Sequence, residues 1–238
     1  MNLRAIKPGW YVLFALLAYS LFMTFVWQRN NRALEAFRTA FSEPIQVAQR
    51  IDEKGLWFPI AGAQLPLSEK YLPGAPRAYR KDLSQGFTFS ADSAGIPISY
   101  GTAVIASADA QVVRVDDVYR ELTEESWRSL VRLVSLRDAT EEEKDALRGR
   151  QIWLRTDDGL LLRYGHLASI KPSLRSGDRV YRGQVIGFVG NSGTEDGVAG
   201  STRGARLHFE VWDGNLYLGQ ALSKEEVLRE AATLFIGP

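Results

Sequence analysis

The chain has 238 residues, 45% hydrophobic and 24% charged, with a formal net charge of +1, which suits one medium-sized globular domain with additions. A balance this close to neutral leaves no electrostatic footprint for nucleic-acid binding. Cysteine is absent, which excludes disulfide staples and thiolate metal sites.

Gly9–Trp27 (GWYVLFALLAYSLFMTFVW) carries no charge and is long enough to cross a hydrocarbon core of ~30 Å as a helix. Trp10, Tyr11 and Trp27 stand near its ends, where amphipathic rings favour the membrane interface. Ala18-Tyr19-Ser20 has the small residues of a signal-peptide cleavage site, but more apolar sequence follows it. The segment therefore reads as an uncleaved transmembrane anchor, with residues 1–8 as a short tail ahead of it. Charge does not orient it, because Arg4 and Lys7 on one side are balanced by Arg29, Arg32 and Arg38 on the other.

Leu34, Phe37, Phe41, Ile45 and Ala48 recur at helical spacing, with a break at Pro44 and a capping residue at Ser42. Residues 28–55 are expected to form a juxtamembrane helix, a spacer rather than a coiled coil. Pro59, Pro66, Pro73 and Pro76 mark residues 56–82 as an extended, partly ordered lead-in.

Residues 117–149 interrupt a strand-rich region with two helices. Thr123 can cap the first, whose apolar stripe is Trp127, Leu130, Val131 and Val134. Thr140 and Glu143 form a capping box for the second, and Gly149 stands at its C-terminal cap. This hairpin is expected to project beside a groove or to pack on the core. Asp157-Asp158-Gly159 then turns one strand, Gln151–Arg155, into the next, Gly159–His166. Val180-Tyr181 and Val185–Val189 read as further short strands. Residues 190–205 are rich in Gly, Ser and Thr and read as a flexible surface loop. Ser223 and Glu226 form another capping box before Val227, Leu228, Ala231 and Leu234, which predicts a C-terminal helix over 223–238.

Both histidines, His166 and His208, lie in the strand-rich part. Alternation in Leu207–Trp212 puts His208 and Glu210 on one face, and Leu207, Phe209 and Val211 on the other. Two such histidines on neighbouring strands can reach a shared atom.

The pieces YGHL (164–167), SGDRVYRGQVIGFVGNSG (176–193) and RLHFEVW (206–212) closely resemble the core of the lysostaphin-type (LytM, M23) zinc metallopeptidases. The resemblance runs over residues 70–222 and implies a mainly β, LytM-like antiparallel sheet domain over 83–222, with the helical insertion at 117–149. It also implies a location outside the cytoplasmic membrane, hence a cytoplasmic N-terminus and an outward domain.

Carried over residue by residue, the resemblance puts Ser84 at a zinc-ligating histidine position and Thr88 at the aspartate position, around a retained Gly86. His208 would be the one metal ligand left. His166 keeps one catalytic position, whereas Arg206 replaces the other histidine. A catalytic zinc takes about three charged or imidazole ligands, so one imidazole does not hold it. Arg206 stays protonated and cannot act as a base.

The expectation is a pseudoenzyme without a cofactor. Its groove candidates are Tyr164, His166, Arg206 and His208, and its partner is peptidoglycan, a wall hydrolase or an envelope or division protein. The alternative is an active wall endopeptidase that uses Asp82, Asp92 or Glu210 as substitute zinc ligands, or a Ser84–His166 pair.

Overall fold

The structure, a computed structural model, describes residues 17–20, 23–24 and 55–237. The chain divides into two compact units, residues 1–44 and 45–238. In the first, only residues 17–20 and 23–24 are described, and they are helical. No helix among the described residues is long and apolar enough to cross a membrane. The expected span over 9–27 and spacer over 28–55 lie almost wholly outside them.

The second unit is built on antiparallel strands. The larger sheet runs in the order β9 (Arg179–Val180), β5 (Ala110–Val115), β6 (Ile152–Thr156), β7 (Leu161–Gly165) and β11 (Arg206–Asp213). Two short strands, β3 (Phe87–Ser90) and β12 (Leu216–Tyr217), both pair with β11. A smaller sheet orders β4 (Ala103–Ile105), β10 (Val185–Val189) and β8 (Leu167–Ile170). A separate hairpin joins β1 (Pro76–Arg77) to β2 (Arg80–Leu83). The architecture is the mainly β, antiparallel one that the strand pattern predicts.

Alternation along β11 decides which side chains reach the core. Leu207, Phe209 and Val211 join one hydrophobic cluster with Leu162 and Tyr164 of β7 and Phe87 and Phe89 of β3. Burying each aliphatic or aromatic side chain contributes about 1.5–3 kcal/mol, so this face alone anchors the sheet. Gly86 lets β3 come close: a Cβ there would lie 2.3 Å from the Phe209 carbonyl oxygen.

The helical insertion forms as its caps predict. Thr123 accepts from the Ser126 N–H ahead of α1 (Glu124–Leu136), and both halves of the Thr140/Glu143 box are present at α2 (Glu141–Arg148). Val134, Ala139 and Leu147 make a second, small core against which Tyr79, Trp127 and Leu130 pack. The insertion is thus folded onto the β1–β2 hairpin by Tyr79 rather than standing free.

Two expectations need correction. Residues 56–82 are more than a lead-in, since Leu56, Ile60, Ala63 and Leu72 are core residues and Leu56 bridges to Phe235. Their prolines prevent long elements but not burial of the apolar residues between them. Residues 190–205 are likewise more than a surface loop. Asn191, Ser192 and Thr194 are buried, a short helix α3 (Glu195–Val198) follows, and the Asn191 amide donates to the Ser201 and Arg203 carbonyls. Low hydrophobicity there reflects internal hydrogen bonding instead of solvation.

The C-terminal helix α4 (Lys224–Leu234) starts at the predicted Ser223/Glu226 box and buries Val227, Ala231 and Leu234. Just beyond it, Phe235 stacks on Phe58, with ring centroids 4.8 Å apart. The helix is a core element.

Candidate functional site

A cavity of about 180 Å³ opens where β1, β3, β11, α2 and the end of β7 meet. Its walls include Arg77, Thr88, Arg148, His166, Arg206 and His208. The register of the sheet explains the meeting. His208 pairs with Thr88 on one side and Gly165 on the other, so the residue after Gly165, His166, arrives beside it. The two imidazole rings stand 6.0 Å apart. His166 takes a backbone φ of +60°, which a non-glycine residue adopts rarely and at a cost. Its N–H donates to the Arg148 carbonyl at 2.7 Å, which fixes this turn.

Arg77 enters from the hairpin. One guanidinium nitrogen, Nη2, donates to Ser84 Oγ at 2.6 Å and to Thr88 Oγ1 at 3.2 Å, while Nη1 donates to the Lys70 carbonyl. Burial, foremost, lowers the Arg77 pKa, Tyr79 opposes the shift, and the charges of Arg80 and Arg206 add to it. The group still stays protonated at neutral pH. No carboxylate pairs with Arg77 or with Arg206 among the described residues.

The histidines are neutral bases with fixed tautomers. His166 Nδ1 lies 2.8 Å from the Ser192 carbonyl, an acceptor only, so Nδ1 carries the proton and Nε2 a lone pair. Its pKa lies well below the usual value, first through burial and then through the Arg206 charge, with the neighbouring His208 ring disfavouring a second proton. His208 Nε2 lies 3.1 Å from Glu210 Oε1, which leaves its lone pair on Nδ1. Burial lowers His208 too, against the opposing pull of Glu210.

Glu210 is 1% exposed and fully engaged. Arg148 Nε donates to it at 2.7 Å, the Trp212 indole at 2.6 Å and Arg163 Nη1 at 3.4 Å. Burial alone would raise its pKa, but Arg148 and the other donors hold it well below the carboxylate range. Truncating one partner of so buried a pair costs about 3–5 kcal/mol, because the other charge is stranded.

The structure therefore brings together Ser84, Thr88, His166, Arg206 and His208. Tyr164 does not join them. It is 0% exposed, on the opposite face of β7, where its hydroxyl accepts from the Ser107 N–H at 3.0 Å and donates to Ser107 Oγ at 3.1 Å. Burial pushes its pKa up to about 12. Period two sends Tyr164 inward with Leu162 and leaves Arg163 and Gly165 on the His208 side.

The substitutes weighed from sequence fare no better. Glu210 is consumed by its arginines, Asp82 pairs with Arg80 at 2.6 Å, and Asp92 is exposed. Ser84 donates to the Gly86 carbonyl and accepts from Arg77, so no base takes its proton. No three His, Cys, Asp or Glu residues gather to hold a metal among the described residues. A guanidinium bonded to both hydroxyls would also repel a divalent cation there. The residues present do not fit zinc.

Sequence reasoning missed Arg77, Arg148 and Arg163. The only signal for Arg77 was its segment, LPGAPRAYR, placed just ahead of Ser84.

The sequence profile described as peptidase family M23 matches residues 91–220, a span that contains His166, Arg206 and His208 and begins after Thr88. No curated protein sequence matches the chain. Among solved structures, a mutant catalytic domain of the prophage-encoded M23 protein EnpA from Enterococcus faecalis is 19% identical, with 69% of this chain and 85% of that one covered at a TM-score of 0.36. The catalytic domain of lysostaphin from Staphylococcus simulans is 22% identical, covering 59% and 74% at 0.36. The SpoIIQ–SpoIIIAH pore-forming complex has a chain 18% identical, covering 70% and 88% at 0.44. These likenesses are too loose to carry a residue-by-residue correspondence.

Proposed function

The chain belongs to peptidase family M23, and from that membership we propose that it is a member without peptidase activity, tethered to the cytoplasmic membrane with its domain facing the cell wall. It keeps the groove for binding, and binds peptidoglycan or controls a wall hydrolase or another envelope or division partner. One observation carries this reading: the Arg77 guanidinium bridges Ser84 and Thr88 at the cross-strand position beside His208. A cation supplied by the chain is bonded to the side chains that the family resemblance puts at two metal-ligand positions.

The remaining chemistry agrees. Arg206 is no base, and His166 is the only family catalytic position that keeps a proton acceptor. His208 donates to Glu210, which is itself held by Arg148. An anion, not a metal, is what this set of donors attracts.

Metal analysis and incubation with purified sacculi test the proposal together. The purified full chain is expected to contain far less than one equivalent of zinc and to show the same melting temperature with and without a chelator. It is also expected to release no soluble muropeptides. Stoichiometric, chelator-sensitive zinc, or muropeptide release lost on His208→Ala, would overturn it.

A further inference from the structure

We propose that Arg77 and Arg206 form a receptor for the terminal carboxylate of a peptide whose last residue is small and apolar. The inference rests on the reading that the site holds no metal, and it names the ligand class of the same cavity.

The charge balance of the cavity points to an anion. Of the arginines in its wall, Arg80 is paired with Asp82 and Arg148 with Glu210. Arg77 donates only to a carbonyl and two hydroxyls, and the Arg206 side chain has no hydrogen bond or ion pair among the described residues. Glu210, the one carboxylate in the wall, already has its oxygens taken by Arg148, Trp212, Arg163 and His208. Two guanidinium groups thus border one cavity, and among the described residues no carboxylate is ion-paired to either. Such groups bind oxyanions strongly, because the charge is permanent and the N–H donors are arranged as a fork.

Shape narrows the choice. The cavity, at about 180 Å³, has room for one small residue, and Tyr71, Tyr79 and Leu147 add apolar surface to its wall. A phosphate would satisfy the arginines but leave that surface unused. A carboxylate attached to a methyl-bearing carbon uses both. His166 and His208 wall the cavity as neutral rings, so they set no second negative charge as a requirement.

The test is calorimetric titration of the full chain in detergent with acetyl-alanyl-alanine in its D and L forms, the same peptide as a C-terminal amide, and inorganic phosphate. At least one free acid is expected to bind, and its amide to bind at least tenfold more weakly. Arg206→Met and Arg77→Met are each expected to weaken the acid about tenfold or more, the loss of one charge-assisted contact. Arg175→Met, on an exposed turn, is expected to leave binding unchanged.

Should Arg77→Met fail to fold, Arg77→Lys keeps the charge without the fork and is expected to weaken binding at an unaltered melting temperature. Equal affinity for acid and amide, binding of phosphate alone, or no effect of Arg206→Met would overturn the proposal. Zinc content is measured on the same preparation. Absent zinc with no carboxylate binding defeats this inference alone, while stoichiometric zinc defeats the underlying reading as well.

Discussion

Two hydroxyls hold the Arg77 guanidinium, and that arrangement sets what it would take to seat a metal beside His208. Ser84→His with Thr88→Asp would supply two ligands beside His208, and Arg206→His would remove one repelling charge. Those three changes still leave Arg77 at the centre of the set, where its hydroxyl partners now stand. The expected order of zinc affinity by calorimetry therefore has the triple variant well below the same variant with Arg77→Ala added, by tenfold or more, or about 1.4 kcal/mol per tenfold. Structural zinc in small peptides contributes about 10 kcal/mol or more, so even an ill-fitted rebuilt site should bind detectably. Its melting temperature should rise with zinc occupancy, since the ligand holds only the folded state. If the fourfold variant folds and takes up no zinc, Ser84 and Thr88 do not stand at ligand positions. Activity need not return, because Arg148 and Glu210 now engage the groups around His208.

Elements differ in how much of their placement is local, and that divides what could be read in advance from what could not. The caps at Thr123, Thr140 and Ser223 are written within four residues, and all three formed where the sequence put them. The faces of β11 followed from period two. The site did not yield in the same way, because its contacts are set by sheet pairing. Arg148 meets Glu210 across 62 positions, and Arg77 meets Thr88 across 11 and a hairpin that its prolines disguised. Tyr164 was misplaced because its motif was read without its register.

The joint between α2 and the 191–194 loop shows how such a contact can be tested. Gly149 has φ +68°, and a Cβ there would lie 2.3 Å from the Ser192 backbone. Around it, the Arg150 N–H donates to Ser192 Oγ at 2.9 Å, and the Ser192 carbonyl holds His166. Gly149→Ala combines positive-φ strain with a backbone clash, so it is expected to cost about 2–4 kcal/mol. Gly159→Ala, also at positive φ but with nothing within 4 Å, is expected to cost about 1 kcal/mol. Denaturant unfolding of both compares them; equal losses would mean that the joint contributes no more than a free turn.

At the scale of the whole molecule, the proposed anchor and outward-facing domain can be tested directly, and the sequence supplies the experiment. Residues 9–27 have the length and apolarity of a span, but the charges on the two sides nearly balance, so the positive-inside rule does not choose. The proposed function supplies the expectation instead: a domain that binds wall peptides or their hydrolases would stand outside the cytoplasmic membrane. The chain has no cysteine, so a single introduced thiol reports its own location without background. Ser173 is exposed in the turn after β8, where a thiol disturbs no core contact. Asn2 lies ahead of the proposed span. With a membrane-impermeant maleimide added to spheroplasts, Ser173→Cys is expected to label at once, and Asn2→Cys only after the membrane is opened with detergent. Salt and alkaline washes should leave the labelled chain in the membrane fraction, because about twenty apolar residues in a bilayer hold far more tightly than surface charges do. The reverse labelling pattern would put the domain in the cytoplasm and deny it the wall. Release by washing would remove the anchor from the proposal while leaving the carboxylate site to be judged on its own titration.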